Sequence, residues 1–574
     1  MKKIIVSIIC FVLLATHVTG AFAHKANEVY AKHGMVSSAH ELASKAGVEI
    51  MQKGGNAIDA AVGTVLALNV VEFMCSGIGG GGYMTIRFAD TGETICLDYR
   101  EQAPASATKD MFASEQSKKE KWTIHGGKSI GVPGLVMGLE YALERYGTMS
   151  FLEVAQPAIR LATEGFALDP YLAEVIVDNY DRLKKYNSPD DIAFIVDDFP
   201  VVAGGILKQP ALAKAFKYIG ILGARAAFYD GPLGAAICEA VNKNGGNMTM
   251  DDLRNYKMMI RTPVHGTYRG YQIYSMPPSS SGGTHIIQLL NIMENFDVKG
   301  LGSNNPDLIH KFCEATKLVF ADRSKYMADP EFTELPLKGL QSKEYAKYLA
   351  SKISNRVATD VKADNPWKYE GKESKNAYDA GLGGERMSTS SVSVVDQKGN
   401  IVTTTNTINY SKFMGATVIA PGFGFLLNDQ MDDFSQNPES VNAPEPGKRP
   451  LSSMSPGFIL DPEGRAFMSI GSAGGTRIIT AIAQTIMNVI DHGMEMDAAI
   501  EACRFHNQKD KLIRCDLNRC DKSVLDALEK MGYELQLEEG AGILGTTQAI
   551  LFDHAKGQMN GGADSRRLGV PVGF

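Results

Sequence analysis

The sequence predicts a layered α/β protein with a substantial sheet, on three observations. The chain has 574 residues, 44% of them hydrophobic and 21% charged, so it can bury a large core and is neither disordered nor fibrous. Helical periodicity runs through its first half and middle, and the pattern switches to period two near Ser390. Strand-like and helical stretches then share the remainder, which suits helices packed on a sheet. There is no internal repeat of solenoid or propeller length. Fifty-eight basic residues against 65 acidic ones give a net charge of −7, which argues against nucleic acid as a partner.

In chain order, Met1-Lys2-Lys3, the apolar run 4–15 and Ala21-Phe22-Ala23 form a secretory signal, residues 1–23, with cleavage after Ala23. The run is short for a span of ~20 residues, and polar His24-Lys25 follow it. The mature chain is therefore expected to be exported, periplasmic or secreted, with no membrane anchor. Residues 37–56 read as a helix, with Leu42, Ala43, Ala46, Ile50 and Met51 at helical spacing and Gly54-Gly55-Asn56 ending it. Asn56-Ala57-Ile58-Asp59 open a second helix, residues 60–70, apolar on nearly every side and so buried.

Ser76-Gly77-Ile78-Gly79-Gly80-Gly81-Gly82 suggests a phosphate loop, but no Lys-Ser/Thr follows and a strand comes next. Close backbone packing is the better account of these glycines. Strands are expected at 83–88 and 94–99. The middle, 135–350, is mostly helical pattern, broken by the loop 277–283. Residues 369–385 have no apolar period and suit an exposed segment open to cutting.

Ser391-Val392-Ser393-Val394-Val395-Asp396, the turn Gln397-Lys398-Gly399-Asn400 and residues 401–407 read as a β-hairpin. Pairing its arms sets Thr389 opposite residues 406–408. Thr403, Thr405 and Thr407 share one face, so the Thr407 hydroxyl can sit beside that of Thr389. On residues alone, the pair is either catalytic or two good strand formers.

Of eight cysteines, Cys10 leaves with the signal, so an odd number remains. Cys503, His506, Cys515 and Cys520 lack a paired CxxC, and no metal site is expected from them. A Cys515–Cys520 bridge is the more plausible reading, and the other cysteines are expected to be buried as small hydrophobes.

Thr389-Ser390-Ser391-Val392-Ser393, Gly399-Asn400 and Thr405-Asn406-Thr407-Ile408-Asn409 resemble the nucleophile signature of the gamma-glutamyltransferases (gamma-glutamyltranspeptidases). The likeness continues in order through 76–82, Asp98-Tyr99-Arg100-Glu101-Gln102-Ala103-Pro104, 277–283, 427–434, 450–456, Gly471-Ser472-Ala473-Gly474-Gly475 and Gly562-Ala563-Asp564-Ser565-Arg566-Arg567. It covers essentially the whole mature chain.

The resemblance implies an N-terminal nucleophile hydrolase with a four-layer αββα sandwich, made as one inactive chain that cuts itself between Ser388 and Thr389. The products would be a large subunit, 24–388, and a small one, 389–574, held together as a heterodimer. Thr389 would attack the γ-carbonyl of glutathione or another γ-glutamyl amide, and water, an amino acid or a dipeptide would take the acyl group. By the same likeness Thr407 holds the nucleophile and Gly474-Gly475 form the oxyanion hole. Arg100, Ser452 and Ser453 bind the donor's carboxylate, and Asp433, Asn409 and Gln430 its ammonium. No cofactor or metal is needed.

The chain departs from the family pattern at Ser391, where many members have His, and at Phe413-Met414-Gly415, which is spread relative to the usual aromatic-Gly. The segment 435–448 is short where some bacterial relatives carry a lid, which implies a more open pocket. Two alternatives stay open: a glutaryl-cephalosporin acylase of the same fold, for which an acid at position 433 is pointless, and a non-catalytic periplasmic binding protein, which needs no cut.

Overall fold

The computed structural model describes residues 29–373, 388–409, 413–539 and 544–574. The signal 1–23 lies outside them, as does most of the expected cut segment. Two seven-stranded sheets lie face to face. The first runs Val570–Gly573, Met35–Ser38, Ser390–Val395, Ile401–Thr407, Gly81–Arg87, Thr94–Tyr99, Met259–Arg261. The second runs Val29–Ala31, Gln558–Ala563, Thr546–Asp553, Ala466–Ala473, Gly457–Leu460, Tyr271–Ser275, Val264–Tyr268. All pairings within both are antiparallel. Each sheet takes strands from both sides of position 389.

Helices cover the two outer faces, which completes four layers. Ala57–Val71 is buried along its whole length against the first sheet. Its apolar residues leave no face suited to water, and Asn56 caps it by accepting from the Ile58 and Asp59 amides. Gly282–Met293 and Arg477–Ile490 cover the second sheet. One large apolar cluster forms under each helical layer.

Between the sheets the contact is apolar at one end, around Met35, Val395, Ile401 and Phe458. Elsewhere it is made of small hydroxyls. Thr403 Oγ1 meets Ser469 Oγ at 2.8 Å and Ser393 Oγ donates to the Gln548 carbonyl. Small polar side chains let the sheets approach closely there, and every hydroxyl needs a partner. Thr404, one residue along, turns to the opposite face and donates to the Tyr83 carbonyl.

The structure differs from the sequence reading in several places. The first helix is Glu41–Gln52, because Met35–Ser38 is a strand. The second is Ala57–Val71, with Asn56 as its cap, so the segment 56–59 opens it. The middle of the chain is not all helix, since Val264–Tyr268 and Tyr271–Ser275 form an edge hairpin of the second sheet. The bridge is Cys503–Cys520, not Cys515–Cys520. Cys515 sits on Leu512–Asp516, paired opposite Phe505, and is buried in the core, while Cys503 lies just before that pairing with its Cα 4.7 Å from that of Cys520. Cys75, Cys96, Cys238, Cys313 and Cys515 are free and buried, as expected. No group of His, Cys, Asp or Glu among the described residues is arranged to hold a metal ion.

Candidate active site

The hairpin sets the site. Ser390 pairs with Asn406 and Val395 with Ile401, so Thr389 comes level with Thr407. The Thr389 hydroxyl donates to Thr407 Oγ1 at 3.4 Å and also contacts the Ser388 carbonyl oxygen. Thr407 Oγ1 donates to that same carbonyl at 2.9 Å and accepts from the Asn409 amide at 2.8 Å. Asn409 adopts φ +63°, which turns the chain sharply away after the strand.

The glycine run makes room for this hairpin. A Cβ at Gly80 would fall 2.1 Å from the Thr407 carbonyl oxygen, and one at Gly82 would fall 2.4 Å from that of Thr405. These glycines serve backbone contact, as the sequence suggested.

Thr389 and Thr407 open onto a narrow cavity of about 30 Å³. Arg100, Asn409, Gln430, Asp433, Ser452, Ser453 and Gly475 line it with them. Gly474 adjoins Gly475 in the turn between Ala466–Ala473 and Arg477–Ile490. Their φ values are +124° and +59°, and a Cβ at Gly474 would meet Gly545 Cα at 2.8 Å. Ser388 is buried just before the nucleophile candidate. All the sequence-predicted site residues therefore meet in one place.

The cavity is strongly charged inside. Arg100 Nη2 donates to Asp433 Oδ2 at 2.5 Å, and Arg100 Nε donates to the Pro450 carbonyl. Gln430 Nε2 donates to the same Asp433 oxygen at 2.7 Å. Burial would depress the Arg100 guanidinium, but Tyr83, Asp433 and Glu101 outweigh it and hold the group above its ordinary value. Glu101 is fully buried beside it, 3.6 Å from Arg100 Nη1, and burial pushes its carboxyl up to about 7.

Ser452 and Ser453 sit on a loop fastened to the loop before Gly282–Met293. The Ser281 amide and hydroxyl both donate to the Ser452 carbonyl, at 2.8 and 2.7 Å, and the Ser280 hydroxyl donates to that of Met454. A Cβ at Gly282 would fall 1.8 Å from Ser455 Oγ, so only glycine permits this approach.

Ser391 is buried between the sheets, 3.4 Å from Thr405 Oγ1, and a Cβ on Gly471 opposite would come within 2.3 Å of its hydroxyl. The local space is matched to serine. Phe413, Met414 and Gly415 all have positive φ, and Met414 N donates to the Met74 carbonyl. The segment 435–448 closes on itself, with the Ser435 amide donating to the Asn442 carbonyl and Asn442 Nδ2 to that of Asp433.

Sequence reasoning missed Arg323. It lies in the last turn of Pro306–Tyr326, is 2% exposed and lines the cavity. Burial in the fold is what marks it: residues 312–324 of that helix are buried on every side although they include Glu314, Lys317, Asp322 and Arg323. A helix that buries charges all round is one whose charges have partners.

The gamma-glutamyltranspeptidase family model matches residues 43–574. The chain is 39% identical over 547 residues to the glutathione hydrolase proenzyme of Bacillus subtilis (strain 168), spanning 95% of this chain and 92% of the relative. It is 39% identical over 557 residues to that of Escherichia coli (strain K12), spanning 94% and 91%. Among solved structures it resembles the cephalosporin acylase from Bacillus halodurans, with a TM-score of 0.84 and 28% identity over 96% of this chain and 97% of that one.

Proposed function

The chain belongs to the gamma-glutamyltranspeptidase family, and from that premise we propose that Thr389 is the nucleophile of an autoprocessed gamma-glutamyltransferase and glutathione hydrolase. One observation carries the reading: the paired Thr389 and Thr407 share a buried cavity with the Arg100–Asp433 ion pair. A hydroxyl nucleophile thus faces opposite charges that match the carboxylate and ammonium of a free amino-acid end.

Processing comes first. The Thr389 hydroxyl attacks the Ser388 carbonyl, the C–N bond breaks, and Ser388 passes to Thr389 Oγ as an ester while the nitrogen becomes an amine. Water opens the ester, leaving a Ser388 carboxylate and a free Thr389 hydroxyl. The donor from Thr407 to the Ser388 oxygen supports this step, because that oxygen carries the negative charge of the tetrahedral intermediate. The products are residues 24–388 and 389–574, with residues 1–23 directing export and then removed. No helix among the described residues is long and apolar enough to cross a membrane.

Cleavage creates the base. An α-amine has a pKa of about 7.7–8, whereas an amide nitrogen is not basic at neutral pH. The amine takes the Thr389 hydroxyl proton as the oxygen attacks the donor's γ-carbonyl, and returns it to the leaving amine. The Gly474 and Gly475 amides receive the oxyanion. The γ-glutamyl ester is then resolved by water, giving glutamate, or by an amino acid or dipeptide, giving a new γ-glutamyl amide.

Arg100, Ser452 and Ser453 hold the α-carboxylate; Asp433, Asn409 and Gln430 hold the ammonium. The nucleophile, base and oxyanion donors are all polypeptide, so the reaction needs no cofactor. The short segment 435–448 leaves the pocket open to bulky γ-glutamyl compounds. Comparable rates on glutathione and long γ-glutamyl peptides are expected, and a strict preference for small donors would refute that openness.

The similarity to a cephalosporin acylase keeps glutaryl donors as the second reading. A glutaryl group has no ammonium, so the Asp433 carboxylate favours glutamyl. N-terminal sequencing of the smaller fragment, with rates on γ-glutamyl and glutaryl anilides, tests both points. A fragment beginning at Thr389 and faster γ-glutamyl turnover are expected; an uncut active chain would overturn the reading.

A further inference from the structure

Arg323 has a specific hydrogen-bonding role that follows from the direction of each bond. Its Nε donates to Ser281 Oγ at 2.9 Å, and its Nη2 donates to Ser453 Oγ at 3.1 Å. A guanidinium has no acceptor, so both serine oxygens must accept. Each hydroxyl then spends its single proton elsewhere. Ser281 passes its proton to the Ser452 carbonyl, which fastens the loop. Ser453 lines the cavity, and with its oxygen accepting from Arg323, its proton is available to a ligand there.

Charge supports the same arrangement. Burial pushes the Arg323 guanidinium down to about 10, with Asp433 drawing it upward, so it remains a cation at neutral pH. The cavity therefore holds guanidinium groups from both Arg100 and Arg323.

We propose that Arg323 is a positioning residue for recognition of the donor's α-carboxylate: it polarises Ser453 into a fixed hydrogen-bond donor and ties the Ser452-Ser453 loop to Ser281. The proposal rests on the reading of this cavity as a γ-glutamyl site. It predicts an effect on binding of the carboxylate end, transmitted through Ser453, and not on the chemistry at Thr389.

A double-mutant cycle on the processed enzyme tests it, with γ-glutamyl-p-nitroanilide as donor. Arg323→Gln and Ser453→Ala should each lower kcat/KM by about 10- to 100-fold, the scale of a hydrogen bond to a charged group, mainly through KM. The double variant should lose no more than about twofold beyond Ser453→Ala alone, because the two residues act as one unit. Losses that multiply, or a fall in kcat at unchanged KM, would overturn the proposal. If Arg323→Gln is not processed, Arg323→Lys replaces it in the cycle. Lys keeps the charge but cannot reach both serines with a fork, so a smaller KM increase with the same lack of additivity is expected. The wild-type rate on this donor reports separately on the γ-glutamyl reading, since the cycle compares variants only with one another.

Discussion

The Thr407 hydroxyl lies 2.9 Å from the carbonyl oxygen of Ser388, on the bond that processing would break. The same hydroxyl is within reach of Thr389 Oγ1, at 3.4 Å. In the proposed mechanism this one side chain would stabilise the oxyanion before the cut and hold the nucleophile after it.

Removing that hydroxyl should slow maturation more than it weakens the fold. Thr407→Val keeps the strand preference and shape but deletes the donor. Loss of one oxyanion donor costs about 10²–10³ in rate. The appearance of two bands on a denaturing gel over time measures this, and unchanged processing would rule out the oxyanion role.

Thr389→Ala should remain a single band and give no γ-glutamyl turnover, since neither the ester nor the free amine can form. Thr389→Ser should process and act, more slowly. A Thr389→Ala protein that appears as two bands and is active would remove the basis of the mechanism.

Asp433→Asn should separate the two donor classes. The variant leaves an amide facing the ammonium of a γ-glutamyl donor, and about 10²-fold or more should be lost in kcat/KM on that anilide. A glutaryl anilide has no ammonium and should lose little. Equal losses on both would mean that Asp433 acts only through Arg100.

Glu101 predicts a pH signature. Burial raises its carboxyl from an ordinary value near 4.5 to about 7. The folded chain therefore holds a proton that the unfolded chain has released, so this contribution is complete below pH 4.5 and is lost as pH rises through about 7. Its size is on the order of 3 kcal/mol. In the uncut Thr389→Ala background, the melting temperature of Glu101→Gln should fall less between pH 5 and 7.5 than that of its parent. Parallel curves would show that Glu101 titrates normally.

The Cys503–Cys520 bridge closes a loop with a sequence separation of 17, which in chain-entropy terms is worth about 3 kcal/mol. Cys503→Ser should lower the denaturant midpoint under oxidising conditions. Cys515→Ser should leave the bridge in place, as mass mapping of a non-reduced digest would show.

The catalytic hairpin could be read from sequence because its information is local. Alternation over residues 401–407 and a glycine turn fix the register, and register alone brings Thr389 level with Thr407. The pocket residues were found only through the family resemblance, since Arg100 and Asp433 are 333 positions apart. Arg323 escaped because its function depends on a tertiary contact with Ser453, 130 positions away. The hairpin at 264–275 escaped for a different reason. Its strands are short and half-buried, so their alternation is weak, yet Arg269-Gly270 carries positive φ at both positions, a two-residue primed turn whose Gly is a sequence cue. The cysteine pairing is not legible in the sequence because strand pairing buries Cys515 in the core, and Cys503, 17 positions from Cys520, makes the bridge instead.

In both sheets, strands that precede position 389 are hydrogen-bonded directly to strands that follow it: Met35–Ser38 lies between Val570–Gly573 and Ser390–Val395 in one, and Val29–Ala31 and Tyr271–Ser275 flank a block of later strands in the other. Cutting the peptide bond thus releases no piece. The two polypeptides that the proposed cut would give are interleaved like the fingers of clasped hands, so dilution alone would not part them, and a strong denaturant would have to melt the whole sandwich first. If the chain is cut there as proposed, maturation would accordingly be a one-way event, and fragments made apart would have to weave fourteen strands together before either could find its place.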